Sequence, residues 1–385
     1  MLRKKLSKTV AIPFFLIIMG SFTLIHIKTH GFELAIRDKT KISFWNSRKQ
    51  GTNIFNQNIS IEDIQAAKNY GFGFIRLVPD KFLTEKRDFL IGDADNYNGL
   101  VDADLTKLKE ILDICTQIDI PVVLSMLSLP GSRWKQNNND KDDLRIWSNE
   151  TNLNNKMFQK QAATFWKDLA TELQYYSIVI GYNILNEPHP EKACLPTNSI
   201  QHQLFEFYQL SINAIRSVDK QTPIILDSTA HADPQAFNYL SAHTDPLIIY
   251  SFHMYEPFAY TNLKINNGQY SYPGMIEDTY WDKDTLIKYM KAIIDFQKRN
   301  NIESNRILVG EFGGNRKTEG LEVYFKDLIS IFKQHNWHYA FYAFREDTWD
   351  GMDYELGADK IPWNSPTPIS LLKNASYPTF QALLP

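Results

Sequence analysis

Cysteine is nearly absent: Cys115 and Cys194 are the only two in 385 residues. That excludes a disulfide framework, and no metal-ligand spacing surrounds either, so both read as free thiols. Charge of one sign is missing too. With 41 basic and 44 acidic side chains the formal net charge is −3, which gives no electrostatic reason for nucleic acid or an anionic membrane as partner. None of the nine histidines has zinc spacing and H-E-x-x-H does not occur, so no metal or other cofactor is implied. There is no internal repeat. A glycine-rich phosphate turn is also lacking where an open nucleotide-binding sheet would need it, after the first strand, which reads G-T-N-I-F-N.

Aromatic side chains, by contrast, are plentiful: 8 Trp, 19 Tyr and 24 Phe. Most belong to a core, but a surplus also suits a sugar-binding cleft, because pyranose C–H faces lie well on flat rings. The N-terminus differs from everything after it. Arg3, Lys4, Lys5 and Lys8 precede an apolar run from Val10 to Ile27. A basic segment before an apolar one marks a signal peptide or an uncleaved signal anchor, expected over residues 1–30, with the remaining chain, 31–385, outside the cytoplasm. Secretion, possession of a membrane contact only through that anchor, and a monomeric state are the corresponding expectations.

The rest of the chain alternates short apolar runs with longer amphipathic ones. Strands are expected at 51–55, 74–78, 121–126, 178–185, 223–226, 247–252, 307–309 and 339–344. Helices are expected at 61–70, 105–118, 157–175, 203–218, 285–297 and 321–334, with a short one at 234–240 and a final one at 368–384. Ser60 and Asp63 form a capping box at the start of the first helix, and Gly71 ends it. Eight strands alternating with helices is the count of a single closed (β/α)8 TIM barrel, an α/β fold.

The pivotal stretch is I-V-I-G-Y-N-I-L-N-E-P-H-P, Ile178 to Pro190. Its apolar half suits a strand buried on both faces, and Pro188 stops the pairing. Glu187 thus falls at the carboxyl end of a parallel strand, where such barrels assemble active sites. Polar residues at other strand ends are Arg76 after the second, His253 and Tyr255 after the sixth, and Glu311 after the seventh. Two carboxylates facing each other at about 5 Å fit retaining glycoside hydrolysis, whereas a gap of ~6.5–9.5 Å admits a water and predicts inversion. The chemistry asks for unequal carboxyls. Glu311 is expected to be the nucleophile, held ionised by Arg76 and Tyr255, and Glu187 the acid/base, its pKa raised by the neighbouring charge. Asn186 is placed for the sugar 2-hydroxyl, and His253 for Glu187 or a sugar hydroxyl.

Taken singly, each residue has a plainer reading. Glu187 alone would be a capping or ion-paired carboxylate, Arg76 a tie between strands, and His253 and Tyr255 core residues with satisfied tips. Trp134, in P-G-S-R-W, is a sugar platform or an ordinary packed loop residue; Trp281, Trp349 and Trp363 are weaker candidates. The acidic run Asp140 to Asp143 reads as a solvated loop tip, with calcium as the alternative.

In order and each at a strand end, N-E-P, H-x-Y and G-E-F-G resemble glycoside hydrolase family 5, the large cellulase family of (β/α)8 retaining glycosidases. The resemblance runs from about Gly51 to Tyr354 and includes Y-S-F-H-M-Y-E-P-F and W-D-G-M-D-Y-E-L-G. It implies Glu187 as acid/base and Glu311 as nucleophile, surrounded by Arg76, Asn186, His253 and Tyr255. Two positions depart from the family. The histidine it often carries after strand three is replaced by Leu127-Ser128-Leu129, and its strand-eight tryptophan by Tyr342 or Phe344. The expected activity is hydrolysis of a β-glucan or related polysaccharide, with endo-β-1,4-glucanase leading and β-mannanase or exo-β-1,3-glucanase as alternatives. A non-catalytic carbohydrate-binding barrel is the rival from another class.

Overall fold

The computed structural model describes residues 40–82, 87–134, 141–147, 153–193, 197–347, 351–357 and 374–385. Eight parallel strands close into a barrel: β1 (Gln50–Ile54), β2 (Phe74–Leu77), β3 (Val122–Ser125), β4 (Val179–Asn183), β5 (Ile224–Asp227), β6 (Ile248–Met254), β7 (Ile307–Phe312) and β8 (His338–Phe341). β1 pairs with both β2 and β8, which shuts the ring. The expected single (β/α)8 barrel is therefore what this chain forms. The expected N-terminal signal or anchor and Cys194 lie outside the described residues. Among those described, no helix is long and apolar enough to cross a membrane.

Two separate apolar clusters explain why the strands read as near-continuous hydrophobic runs. One lies outside the sheet, under the helices. The other is a layer inside the barrel made by Phe74, Val123, Ile180, Ile225, Ile249, Leu308 and Ala340, plugged from the amino-terminal end by Trp45. The Trp45 indole N–H donates to the Ile180 carbonyl at 2.9 Å, so the plug leaves no unpaired donor. Gly51 belongs to the same layer, because a Cβ there would lie 2.6 Å from the Phe74 ring. Side chains above this layer are polar, and they form the site.

Helices cover the barrel as expected, with local differences. Ser60 and Asp63 do form a reciprocal capping box at the start of Ile61–Asn69. The expected helix at 285–297 is two, Lys283–Tyr289 and Lys291–Asn300, interrupted at Met290. The segment at 234–240 is a 3-10 turn, Pro234–Asn238, with Asp233 capping Gln235 N–H. Of the expected final helix, Pro378–Gln381 is helical among the described residues. A small antiparallel hairpin, Gly274–Ile276 with Thr279–Trp281, stands in what reads as an irregular loop.

Two register slips matter for the site. Between β6 and β7, Phe252 pairs with Val309 but His253 pairs with Glu311, leaving Gly310 as an extra residue. Strict alternation from the inward Leu308 would send Glu311 outward; the extra residue turns it into the barrel. Only glycine fits there, since a Cβ on residue 310 would meet Ser251 Oγ at 2.7 Å and His253 Nε2 at 3.0 Å. A second slip, between β3 and β4, turns Asn183 inward in the same way.

Candidate active site

Arg76 is the hub of the polar layer and is fully buried. All five of its guanidinium N–H donors have work to do. Nε and Nη2 donate to Asn183 Oδ1 at 3.2 and 2.6 Å, Nη1 to Asn53 Oδ1 at 2.9 Å and Glu311 Oε1 at 2.7 Å, and Nη2 also to Asn186 Oδ1 at 2.6 Å. The hydroxyl of Tyr255 donates to the other oxygen of Glu311, Oε2, at 2.8 Å. Both oxygens of this carboxylate are therefore held by donors, and its plane is fixed.

Glu187 lies across the cavity. Its backbone is left-handed, with φ of 50°. That conformation is strained for a residue with a Cβ and persists where surroundings enforce it. Asp227, at the end of β5, accepts the Glu187 N–H at 3.1 Å, and His189 Nδ1 lies 2.9 Å from the Glu187 carbonyl oxygen. The His253 Nδ1 is 2.7 Å from Glu187 Oε1. One carboxylate oxygen from each of Glu187 and Glu311 and a ring nitrogen of His253 all lie within 4.8 Å of one another. This spacing falls at the short, about 5 Å, separation of retaining glycosidases, not the longer one that leaves room for a water.

The protonation order differs from the sequence expectation. Burial raises Glu187, but the His231 and His253 rings beside it outweigh burial and draw the carboxyl down to about 2. Burial pushes Glu311 up, His253 and Arg76 pull it back, and the Glu187 charge pushes with burial, for a net rise. His253 is lowered by burial and raised more by Glu311, Asp227 and Glu187. The expected rise of Glu187 rested on the neighbouring Glu311 charge; His231 and His253 beside it act the other way. With a basic ring beside them, the two carboxyls and His253 titrate as one coupled set, and the acid role of Glu187 rests on its position opposite Glu311.

The remaining expected residues fall in different places. Asn186 stands at the mouth with its carbonyl oxygen on Arg76. Tyr342 packs edge-on to Phe55 at 5.0 Å, and Phe55 in turn faces the Arg76 guanidinium at 5.8 Å. Phe344 is a correction: it is buried between Tyr70 and Phe72, outside the mouth, because β8 ends at Phe341 and the chain then turns away. Trp134 packs on His189 and His231 at 4.9 and 5.4 Å, on the Glu187 side of the cavity. Trp281 is buried against Tyr289, while Trp349, Trp363 and Asp140 lie outside the described residues. Asp143 is not a solvated tip: burial is overcome by Arg145 and Arg133, which bond its carboxylate and hold it below the usual range. Cys115 is buried, and its thiol is pushed up to about 12.

Asn53, Asn183, Asp227 and His231 were not singled out from sequence. The first three were legible in principle, as lone polar residues inside or ending apolar strands: G-T-N-I, G-Y-N-I and I-I-L-D. His231 has no such signature, being four residues past β5.

The sequence matches the family described as cellulase (glycosyl hydrolase family 5) over residues 36–348. Endoglucanase C of Acetivibrio thermocellus is 22% identical over 331 residues, covering 78% of this chain and 87% of that protein. Cellodextrinase A of Ruminococcus flavefaciens is 21% identical over 216 residues, 56% of each chain. Among solved structures, endoglucanase Cel5A of Thermotoga maritima superposes with a TM-score of 0.65 at 18% identity, over 90% of this chain and 99% of that one. A match across most of the barrel, with a carboxylate from β4 opposing one from β7, leads to one assignment: the chain belongs to glycosyl hydrolase family 5, the cellulase family of glycoside hydrolases.

Proposed function

We propose that this chain is a retaining endo-β-1,4-glucanase in which Glu311 is the nucleophile and Glu187 the acid/base. The observation that carries the reading is the close approach of the two carboxylates, one gripped on both oxygens by Arg76 and Tyr255, the other paired with His253. In the first step a Glu311 oxygen bonds the anomeric carbon as the glycosidic C–O bond breaks. The leaving oxygen takes a proton from the carboxyl of Glu187, whose Oε1 is held by His253. Glu311 is then an ester without charge, and the largest charge favouring a proton on His253 is gone. Glu187, now deprotonated, accepts a proton from the water that attacks the same carbon and frees Glu311. With its carbonyl oxygen fixed by Arg76, Asn186 presents its amide NH2 to the sugar 2-hydroxyl, a contact that strengthens in the transition state.

A β-glucan substrate follows from the family; endo action and the 1,4 linkage are proposed because relatives across most of the chain carry the name endoglucanase. Tyr342 is assigned the floor under the reacting sugar and Trp134 a platform on the leaving-group side. Carboxymethylcellulose, glucomannan and laminarin, compared by reducing-end release, separate this from a mannanase or a 1,3-glucanase. Glu311→Gln and Glu187→Gln are each expected to lose measurable turnover of carboxymethylcellulose while remaining folded, as read by a cooperative unfolding transition. An active Glu311→Gln enzyme would defeat the mechanism. We further propose export through residues 1–30 and action as a monomer; N-terminal sequencing of the cell-surface and medium fractions tests the first, sedimentation the second.

A further inference from the structure

The connection after β5 is wound the wrong way. Ala230, His231 and Ala232 are left-handed in succession, with φ of 54, 61 and 59°. Residues with a Cβ adopt this conformation rarely and singly, so a run of them requires outside support. Glu191, in the turn Pro190–Ala193 that follows β4, provides it: Oε1 accepts the Thr229 hydroxyl and the Ala230 N–H, the latter at 2.9 Å. At the centre of the run, His231 stacks on His189 with ring centroids 5.0 Å apart and planes 10° from parallel. Trp134 packs against both rings, with Lys192 over its own face.

The result is a second imidazole on Glu187. His253 takes Oε1 from the buried side, whereas His231 Nδ1 stands 3.8 Å from Oε2, an ion-pair distance, with its own side chain 42% exposed. The two carboxyl oxygens are thereby distinguished. Oε1 is committed to β6; Oε2 is the oxygen on the side of the exposed ring.

Building on the assignment of Glu187 as acid/base, we propose that His231 is a positioning residue. Fixed by Glu191, it holds the carboxyl plane of Glu187 so that Oε2 is the atom that passes its proton to the leaving-group oxygen as the anomeric C–O bond breaks and the bond to Glu311 forms. No role was assigned to His231 or Glu191 by the family motifs. The drop in the Glu187 carboxyl, which His231 helps produce against burial, is consistent with this contact. Other charged groups facing Glu187 are His253 from β6, Glu311 from β7 and Asp227 from β5. Those around His231 are Glu187, His189, Glu191 and Lys192 from the segment after β4.

The test is the dependence of kcat/KM on leaving group for aryl β-cellobiosides, from 2,4-dinitrophenyl, which departs without a proton, to unsubstituted phenyl, which needs one. Misplacing an acid by about an ångström costs up to ~10²-fold where its proton is required. In His231→Gln the phenyl substrate is expected to lose at least about tenfold while the dinitrophenyl substrate stays within about twofold, steepening the slope. Glu191→Ala, which keeps the histidine but frees the turn that positions it, is expected to steepen it in the same direction. An equal loss across the series, or an unchanged slope in both variants, overturns the proposal. A wild-type enzyme that cleaves no aryl β-cellobioside and no carboxymethylcellulose would instead overturn the acid/base assignment beneath it.

Discussion

Arg76 spends every donor it has inside the barrel, so its removal has two consequences that are measured separately. Glu311 loses the cation that pulls its carboxyl down against burial, and its pKa rises further. Since the nucleophile must be ionised, the acid limb of kcat/KM in Arg76→Met is expected to move to higher pH, with a large loss of activity at neutrality. Stability is expected to fall by about 3–5 kcal/mol in denaturant titration, because a buried carboxylate is left without its partner. Tyr255→Phe deletes one hydrogen bond to Glu311 Oε2 and no charge. Its acid limb should shift in the same direction but less, with stability nearly unchanged; a shift to lower pH would contradict the role given to the phenol.

At the level of elements, the critical feature is a single unpaired residue in β7. Gly310 is the extra residue that turns Glu311 inward, and its missing Cβ leaves room for Ser251 and His253. Gly310→Ala is expected to lower kcat by more than tenfold and to reduce the unfolding temperature, since overpacking at a buried site costs about 1–3 kcal/mol. The clash is first with the Ser251 hydroxyl, which has no hydrogen-bond partner of its own. Adding Ser251→Ala should therefore restore most of the lost stability but less of the activity, because the contact with His253 remains. Equal recovery of both would mean that His253 is not the sensitive neighbour. The turn after β5 makes the same point from the other side of the cavity: there, strain held by Glu191 presents a side chain that regular helix would carry elsewhere.

For the whole molecule, buried histidines dominate the response to acid. Burial is the leading cause that holds His189, His243 and His338 each at about 4. In the unfolded chain each returns to about 6.5, so between these values the unfolded state binds more protons. Their contribution to stability is complete above about pH 6.5 and is lost as pH falls towards about 4; Glu187, held at about 2, continues the loss below that. His253, raised in the folded state, works in the opposite sense and only partly offsets three neutral rings. The unfolding temperature is expected to drop by on the order of 10 °C between about pH 7 and 4. His338 accepts from the Lys49 N–H at Nδ1 and has the Asn305 carbonyl 3.1 Å from Nε2, a pattern that one proton satisfies and two break. His338→Gln, which keeps one donor and one acceptor, should make that drop shallower.

The order of strands and helices, the closed barrel and the pairing of Glu187 with Glu311 were all legible in the amino-acid sequence. Apolar runs and their period report which faces are buried, and a polar residue at the end of such a run stands out against it. Arg76, His253 and Tyr255 were found for the same reason. Other features depended on contacts between segments far apart in the chain. Phe344 and Tyr342 look equivalent in A-F-Y-A-F-R, and only the end of β8 at Phe341 sends one to the cavity and the other to the core. The inward turn of Glu311 needed a register slip against β6, and the place of His231 needed a left-handed turn held by a glutamate from another loop. The protonation order followed from these placements, because a pKa is set by burial and by the charges within a few ångströms, and neither is written in the local sequence.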